Sequence, residues 1–274
     1  MWEQHVSRQR GGVYYARPGA QSRWETPASE VARMYDAVEP SAPPPDHVAK
    51  MRRQNNNGKR DLFGRVPMPV TNVLDLCCGQ GGDLRKISHT FTDLRTYTGI
   101  DASERCVREA RRRIDAGGLP PAVTAIVQKR DLLCRESWVD LRTGTWDLVS
   151  MQMALHYFAE DEKMLSYTLR YVSSCLRKGG HFVATVLDDA MVRDTDFLRE
   201  HADFFSVEWR TGDPEGAYRF CLPGSVNQGA YEFVVAHPLL EELALQAGMV
   251  CESRIPLAPS GPSRLYVGVV FRKI

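Results

Sequence analysis

The chain has no Cys-x-x-Cys pair. Its seven cysteines (Cys77, Cys78, Cys106, Cys134, Cys175, Cys221 and Cys251) are odd in number and scattered. That argues against a zinc ribbon and a secreted disulfide scaffold, and points to a reduced intracellular compartment. No apolar run approaches the ~20 residues a spanning helix needs, and no secretory apolar segment follows Met1; no membrane partner is expected. Net charge is almost absent, with 35 Lys+Arg against 34 Asp+Glu giving +1. This excludes a purely electrostatic nucleic-acid binder but leaves room for a local basic patch. What remains is a 274-residue chain with 43% hydrophobic residues, enough for one large α/β domain or two small ones.

Residues 1 to about 27 are polar and broken by Gly11-Gly12 and Pro18-Gly19, and they read as a mobile tail. Residues 28–38 fit a short helix, ended by the stiff connector "PSAPPP" (Pro40 to Pro45). "DHVAKMRRQNNNGKRDLF" reads as a basic helix with an N-cap at Asp46, weakened in its middle by the Asn run and Gly58. From Val70 the pattern changes. "VTNVLDLC", "TYTGIDAS", "AVTAIVQKRDL", "TWDLVSMQM" and "HFVATVL" read as strands. "GDLRKISHTF", "SERCVREARRRIDAG" and "DEKMLSYTLRYVSSCLRKGG" read as the helices between them. Strands alternating with helices predict an α/β fold with a doubly wound, mostly parallel sheet. After a charged stretch (188–217), "YRFCLP" and "YEFVVA" read as a late antiparallel hairpin at the sheet edge. The helix "HPLLEELALQAG" and the strand "RLYVGVVFRKI" follow. The expected division is a tail and connector over 1–45 and a single domain over 46–274.

The first strand runs into "DLCCGQGGDLRK" (Asp75 to Lys86). This loop lacks the Lys-Ser/Thr pair of a P-loop, and "CGQGG" is not the G-x-G-x-x-G of a dinucleotide site. A carboxylate at Asp75 would repel a pyrophosphate and favour an amino group. Asp101, at the tip of the second strand, suits a ribose diol, since its two oxygens accept from two hydroxyls. Asp131, at the tip of the third, could accept from an exocyclic purine amine. Gly79, Gly81 and Gly82 let backbone approach a ligand closely. Each acid alone fits a turn former or N-cap equally well. Three on consecutive strand tips behind a glycine loop favour a nucleoside ligand. An amine, a diol and an adenine together describe S-adenosylmethionine.

Asp-x-x-Cys-Gly-x-Gly resembles motif I of methyltransferases. Downstream stand "QMALHY" (Gln152 to Tyr157), "YEFVV" and the terminal "YVGVVFRK". Taken in order with motif I, they resemble the mRNA cap guanine-N7 methyltransferase family. "RRQNNNGK" (Arg52 to Lys59) is similar to that family's R-N-F-N-N-W-[MI]-K. The likeness runs from about Arg52 to Ile274, with gaps in 188–217. It implies a Rossmann-like methyltransferase fold with antiparallel edge strands, S-adenosylmethionine as cofactor, and methylation of guanine N7 at the GpppRNA end. Residues 188–235 would then form a cap-side lobe. N7 carries a lone pair and no proton, so the chemistry needs alignment at roughly 3 Å and no general base or metal.

Residue by residue, the resemblance implies a cofactor site in which Lys59 meets the cofactor carboxylate. Gly79 and Asp101 would meet its backbone-facing edge and ribose, Asp131 its adenine, and Gln152 its methionine side, alongside Asp75. Asn55 would touch the cap nucleoside, and His156, Tyr157, Glu232 and Tyr266 would hold the guanine and its ribose. Arg113 would meet the cap phosphates, with Gln80 and Arg85 as further candidates. Without the ordered motifs, His156 and Tyr266 are ordinary packed residues, Glu232 a solvated strand residue, and Arg113 part of a solvated helix face. Two positions depart from the family. Gln80 stands where most members carry a lysine, and Leu187 in "TVLDD" stands where "TVP" is common. Cys77 replaces a small residue and reads as packing. The implied partners are capped RNA and a capping guanylyltransferase or activating subunit, around a monomeric chain. The implied compartment is the nucleus, or the cytoplasm for a viral member. Two other functions fit part of the pattern: another Rossmann-like methyltransferase acting on tRNA or a small molecule, and a non-catalytic subunit that binds cap or cofactor.

Overall fold

The structure, a computed structural model, describes residues 3–6, 13–16, 35–37, 44–67, 69–138, 141, 143–210, 213–222 and 231–274. Strands β1 (Glu3–Val6) and β2 (Val13–Ala16) pair antiparallel within the stretch read as a tail, Glu3 opposite Ala16. The rest of that stretch and most of the proline connector lie outside the described residues. So does the 28–38 helix, apart from a helical turn at 35–37.

The main sheet is built from β3 (Asn72–Leu76), β4 (Thr96–Asp101), β5 (Thr124–Lys129), β6 (Trp146–Gln152) and β7 (Leu176–Leu187), all parallel. Strands β8 (Ser206–Arg210), β9 (Asp213–Cys221) and β10 (Tyr231–Phe233) form a separate three-stranded antiparallel sheet. Strands β11 (Met249–Pro256) and β12 (Tyr266–Lys273) complete the main sheet in the order β11-β12-β7-β6-β3-β4-β5, with β12 antiparallel to both neighbours. The helices are α1 (Asp46–Phe63), α2 (Leu84–Thr90), α3 (Glu104–Arg113), α4 (Glu162–Cys175), α5 (Thr195–Glu200) and α6 (His237–Gln246).

The pleat of β3 explains the layering. Val73 faces one core with Leu62, Phe63, Ile87 and Val107. Leu74 and Leu76 face the other with Leu165, Leu169 and Leu240. A strand apolar on both faces must be covered on both, so helices sit on either side. From β3 the chain steps outward through β4 to β5, then returns to the far side of β3 for β6 and β7. The reversal lies between β3 and β6, where open α/β sheets hold ligands.

Several sequence expectations shift. The antiparallel edge of the main sheet is β11 with β12, whereas the "YRFCLP" and "YEFVVA" hairpin belongs to the separate sheet. Pro45, not Asp46, occupies the N-cap of α1, and Asp46 lies in the first turn, where its charge suits the helix dipole. The glycine pair read as closing α4 lies inside β7, since the helix stops at Cys175. No helix among the described residues is long and apolar enough to cross a membrane.

Helix α1 also runs unbroken through the Asn run and Gly58. A Cβ at Gly58 would stand 2.8 Å from the Leu257 Cα and closer still to its carbonyl oxygen. That backbone is fixed by the Leu257 N–H donating to the Tyr266 carbonyl at 2.8 Å. Gly58→Ala gains about 1 kcal/mol of helix propensity but meets an overpacking cost of about 1–3 kcal/mol. We expect a net loss of stability, seen as a melting temperature lowered by a few degrees. A raised melting temperature would show that the Leu257 segment yields freely.

Candidate active site

Helix α1 carries Arg52, Asn55, Asn56 and Lys59 at i, i+3, i+4 and i+7, one face of a helix. All four line a cavity of about 390 Å³. The 3-10 turn Leu155–Phe158 adds His156 and Tyr157, β7 adds Leu187, β10 adds Glu232 and β12 adds Tyr266. Phe220 and Leu222, at and just past the end of β9, and Tyr35 and Met153 complete the lining. Five residues that the sequence assigned to one ligand (Asn55, His156, Tyr157, Glu232 and Tyr266) are therefore together. The 188–235 region supplies Phe220, Leu222 and Glu232.

The cavity holds polar atoms that lack partners. Neither ring nitrogen of His156 has a hydrogen bond, and neither does the Asn55 Oδ1 atom, although all are buried. Buried polar atoms are ordinarily satisfied, so these mark a surface shaped for a polar ligand. His156 Nε2 lies 3.6 Å from Glu232 Oε1, too far for a hydrogen bond. An ionised Glu232 would favour a charged ring, yet burial dominates at that separation and drives His156 down to about 3. The imidazole is therefore neutral at physiological pH, one nitrogen a donor and the other an acceptor. Tyr218, directly opposite Glu232 in the β9–β10 register, hydrogen-bonds its carboxylate. The Tyr157 and Tyr35 hydroxyls are 3.0 Å apart.

Three carboxylates stand at neighbouring strand tips, and burial raises all three. Asp75, 2% exposed, accepts from the Tyr97 hydroxyl at 2.8 Å and is pushed up to about 7 by burial and then by Asp83. Asp101 accepts from the Gly79 N–H at 2.8 Å and the Ser103 N–H at 2.9 Å, so it also pins the glycine loop. Asp131 accepts from the Leu133 N–H at 3.1 Å and is pushed up to about 6 by burial, with Asp101 adding to the rise. A Cβ at Gly79 (φ 54°) would meet nothing within 4 Å, so the loop presents bare backbone to open space. Cys77 and Met153, the residues directly after β3 and β6, both have positive φ (55° and 56°). Such strained residues at the point of strand reversal accompany ligand sites. Burial, helped by Asp101, pushes the Cys77 thiol up, so it offers no nucleophile at neutral pH, in keeping with a packing role.

The remaining assigned side chains are engaged within the protein or lie outside the cavity. Lys59 Nζ pairs with Asp83 at 3.1 Å, and Lys86 Nζ holds the other Asp83 oxygen at 2.8 Å. The Gln152 amide is used internally. Its nitrogen donates to the Val183 carbonyl at 3.1 Å, and its oxygen accepts from Thr185 at 3.2 Å. Arg113 and Arg85 do not reach the first cavity's lining. They share a second recess of about 350 Å³ with Arg112 and Gly81. There Arg113 pairs with Glu109 at 2.8 Å and reaches the Gln80 amide oxygen at 3.4 Å. A lysine at position 80 would face that guanidinium instead of accepting from it.

Sequence reasoning missed Tyr35, Arg52, Asn56, Phe220 and Leu222. Arg52 and Asn56 were open to discovery from helical spacing alone. Tyr35 was not, because its place depends on a distant anchor. The Tyr35 carbonyl accepts from Arg105 Nε at 2.8 Å, and Asp36 accepts from the Arg105 N–H at 3.0 Å.

The model of the mRNA (guanine-N(7))-methyltransferase domain matches residues 34–257. The chain belongs to this family. An mRNA cap guanine-N(7) methyltransferase of Debaryomyces hansenii is 26% identical over 252 residues, covering 74% of this chain and 48% of that protein. Its counterpart in Drosophila melanogaster is 29% identical over 218 residues, covering 72% and 50%. The Saccharomyces cerevisiae protein is 34% identical over 151 residues, covering 53% and 34%. The chain thus spans half or less of the length of these relatives. Among solved structures, a SAM-dependent methyltransferase of Methanosarcina mazei superposes with a TM-score of 0.57 at 16% identity, over 76% of this chain and 95% of that one. That likeness shows a shared Rossmann-like methyltransferase fold, as the five parallel strands and antiparallel edge lead one to expect.

Proposed function

We propose that this member of the family transfers a methyl group from S-adenosylmethionine to the guanine N7 of a GpppRNA end. The observation that carries the reading is the cavity between α1, β10 and the turn after β6, where buried His156 and Asn55 present unpartnered polar atoms beside Glu232. Guanine has an edge of N–H donors and an edge of acceptors. The Glu232 carboxylate can accept from the first, while a neutral His156 and Asn55 can meet either. Tyr157, Tyr266 and Phe220 supply flat apolar surface for the ring.

The chain's residues also fit the cofactor. A buried carboxylate with a raised proton affinity, as at Asp75, gains from a cation placed beside it. The open face of Gly79 admits a ligand against backbone, and Asp101 and Asp131 keep acceptor capacity for hydroxyls and an amine. When bound, S-adenosylmethionine supplies an electrophilic methyl group. The protein's task is then to hold N7 in line with it, to exclude water, and to offer negative charge where guanine becomes positive. Glu232 is placed for the last of these. The recess at Arg85 and Arg113 would serve the triphosphate. Capping guanylyltransferase chemistry must supply the GpppRNA, and the nucleus is the expected compartment, or the cytoplasm for a viral chain.

The direct test is transfer of labelled methyl from S-adenosylmethionine to GpppG-ended RNA, with uncapped and ApppG-ended RNA as controls. Label in GpppG-RNA alone is expected. Equal labelling of uncapped RNA would point to another methyltransferase, and cofactor binding without transfer to a non-catalytic subunit. For the cofactor half, Asp101→Ala should weaken S-adenosylmethionine binding by about 1.5–3 kcal/mol, the scale of hydrogen bonds to a charged acceptor. Unchanged affinity by calorimetry would remove Asp101 from the ribose site.

A further inference from the structure

Away from these residues' polar groups, the two acids after β7 meet the first residue of α6. Asp188, Asp189 and His237 place one donor atom each within 4.8 Å of one another, the one such group of three among the described residues. His237 is 4% exposed, and neither of its nitrogens has a hydrogen-bond partner. Its Nε2 points between the acids, 3.8 Å from Asp188 Oδ2 and 3.5 Å from Asp189 Oδ1. We propose that Asp188, Asp189 and His237 form a binding site for a divalent cation of the zinc class.

The geometry favours this over a chance acidic cluster. Asp188 Oδ1 is spent on the loop, accepting from the Ala190 and Met191 N–H groups at 3.0 Å each, which leaves Oδ2 aimed at the site. The Asp188 N–H donates to the Leu265 carbonyl at 2.8 Å, so its position is fixed from both sides. Zinc bonds of about 2.0–2.2 Å in a tetrahedron put ligand atoms about 3.3–3.6 Å apart. The two separations from His237 need to close by only a few tenths of an ångström, and the two carboxylate oxygens lie within 4.8 Å of each other. One imidazole with two carboxylates is a donor set that suits zinc, whereas magnesium and calcium take oxygen alone. The acid side chains keep about a quarter of their surface exposed (23% and 26%), which leaves an entry path and a fourth position for water.

An ion here would join two walls of the guanine cavity without taking part in methyl transfer. Leu187, immediately before Asp188, and Glu232, on the strand that leads to His237, both line it. Binding would fix their separation. The site itself stands whether or not the proposed reaction is correct.

The competing occupant is a proton, with His237 a protonated imidazole between two acids. The full chain, stripped of metal, should be titrated with Zn²⁺ by calorimetry and with Co²⁺ by absorption. One equivalent of Zn²⁺ is expected, with a rise in melting temperature. The Co²⁺ spectrum should lack a thiolate charge-transfer band, which separates this site from the seven free cysteines. His237→Gln and Asp189→Asn should each weaken binding by about a hundredfold or more, since loss of a mere outer partner costs about 10–100-fold. Asp189→Asn carries the test alone if the histidine variant does not fold. No saturable Zn²⁺ binding, a thiolate band, or variants that bind like the parent would each overturn the proposal and leave the protonated histidine.

Discussion

Glu232→Gln is expected to lower kcat/KM for methylation of GpppG-ended RNA by about 10²–10³-fold, or about 3–4 kcal/mol, while S-adenosylmethionine affinity stays within about threefold. The magnitude is that of removing one preorganised group from a site where charge develops. Glu232 is buried, so its charge would act on a bound base with little screening. Glutamine keeps the size and one acceptor, so the Tyr218 hydroxyl still has its partner and the fold should survive. Lost are the negative charge and the second acceptor. Guanine becomes cationic as N7 takes the methyl group, so the carboxylate matters more in the transition state than in the ground state. A fall mainly in kcat, with KM little changed, is therefore expected. A variant with more than about a third of parental activity would remove Glu232 from the guanine site. Equal collapse of cofactor affinity would make it a structural residue.

The legibility of such a residue in the sequence was uneven. Strands β3, β4, β6 and β7 could be read because buried parallel strands are nearly continuous apolar runs, and the exposed edge strand β5 from its β-branched residues. Strand β11 could not, because it is an edge: Glu252 and Arg254 mix charge into it, as exposed edges do. Strand β8 was hidden for the same reason in "SVEWR". The β7 start was misplaced because Gly179-Gly180 look like a helix stop. A Cβ at Gly180 would lie 2.9 Å from the Trp146 carbonyl oxygen, so close strand approach is what requires glycine there. Within the site, the α1 stripe could be read from spacing, and the strand-tip acids from position. Phe220, Leu222 and Tyr35 could not, because their place depends on long-range closure. Nor could the sequence tell that the Gln152 amide would be consumed by Val183 and Thr185. The energetic state of each acid was also invisible, since it depends on burial.

Asp75 is where that burial has its largest consequence. Asp75→Asn is expected to weaken S-adenosylmethionine binding by about 10–100-fold and to make the ligand-free protein more stable at neutral pH. Binding weakens because a carboxylate beside an ammonium group makes a charge-assisted hydrogen bond worth about 1.5–3 kcal/mol. The stability gain follows from the raised carboxyl, at about 7 against an ordinary value of 3.8. The folded chain holds that proton to higher pH than the unfolded chain does. Wild-type stability therefore falls as pH climbs from about 4 to about 7, and the deficit stays above that. At 1.36 kcal/mol per unit the shift corresponds to about 4 kcal/mol at most. Asparagine is neutral throughout and still accepts from Tyr97, so it escapes the penalty. The variant should melt about 5 °C higher at pH 8. The gap should shrink toward pH 4, where the wild-type carboxyl is protonated in both states. Saturating cofactor should narrow or reverse the gap at pH 8, because it stabilises the protein that binds it more tightly. A ligand-free variant that melts lower than the wild type at pH 8 would show that the ionised carboxylate is itself structural, fixed by Tyr97 and Lys59. Lower stability with unchanged cofactor affinity would take Asp75 out of the site altogether.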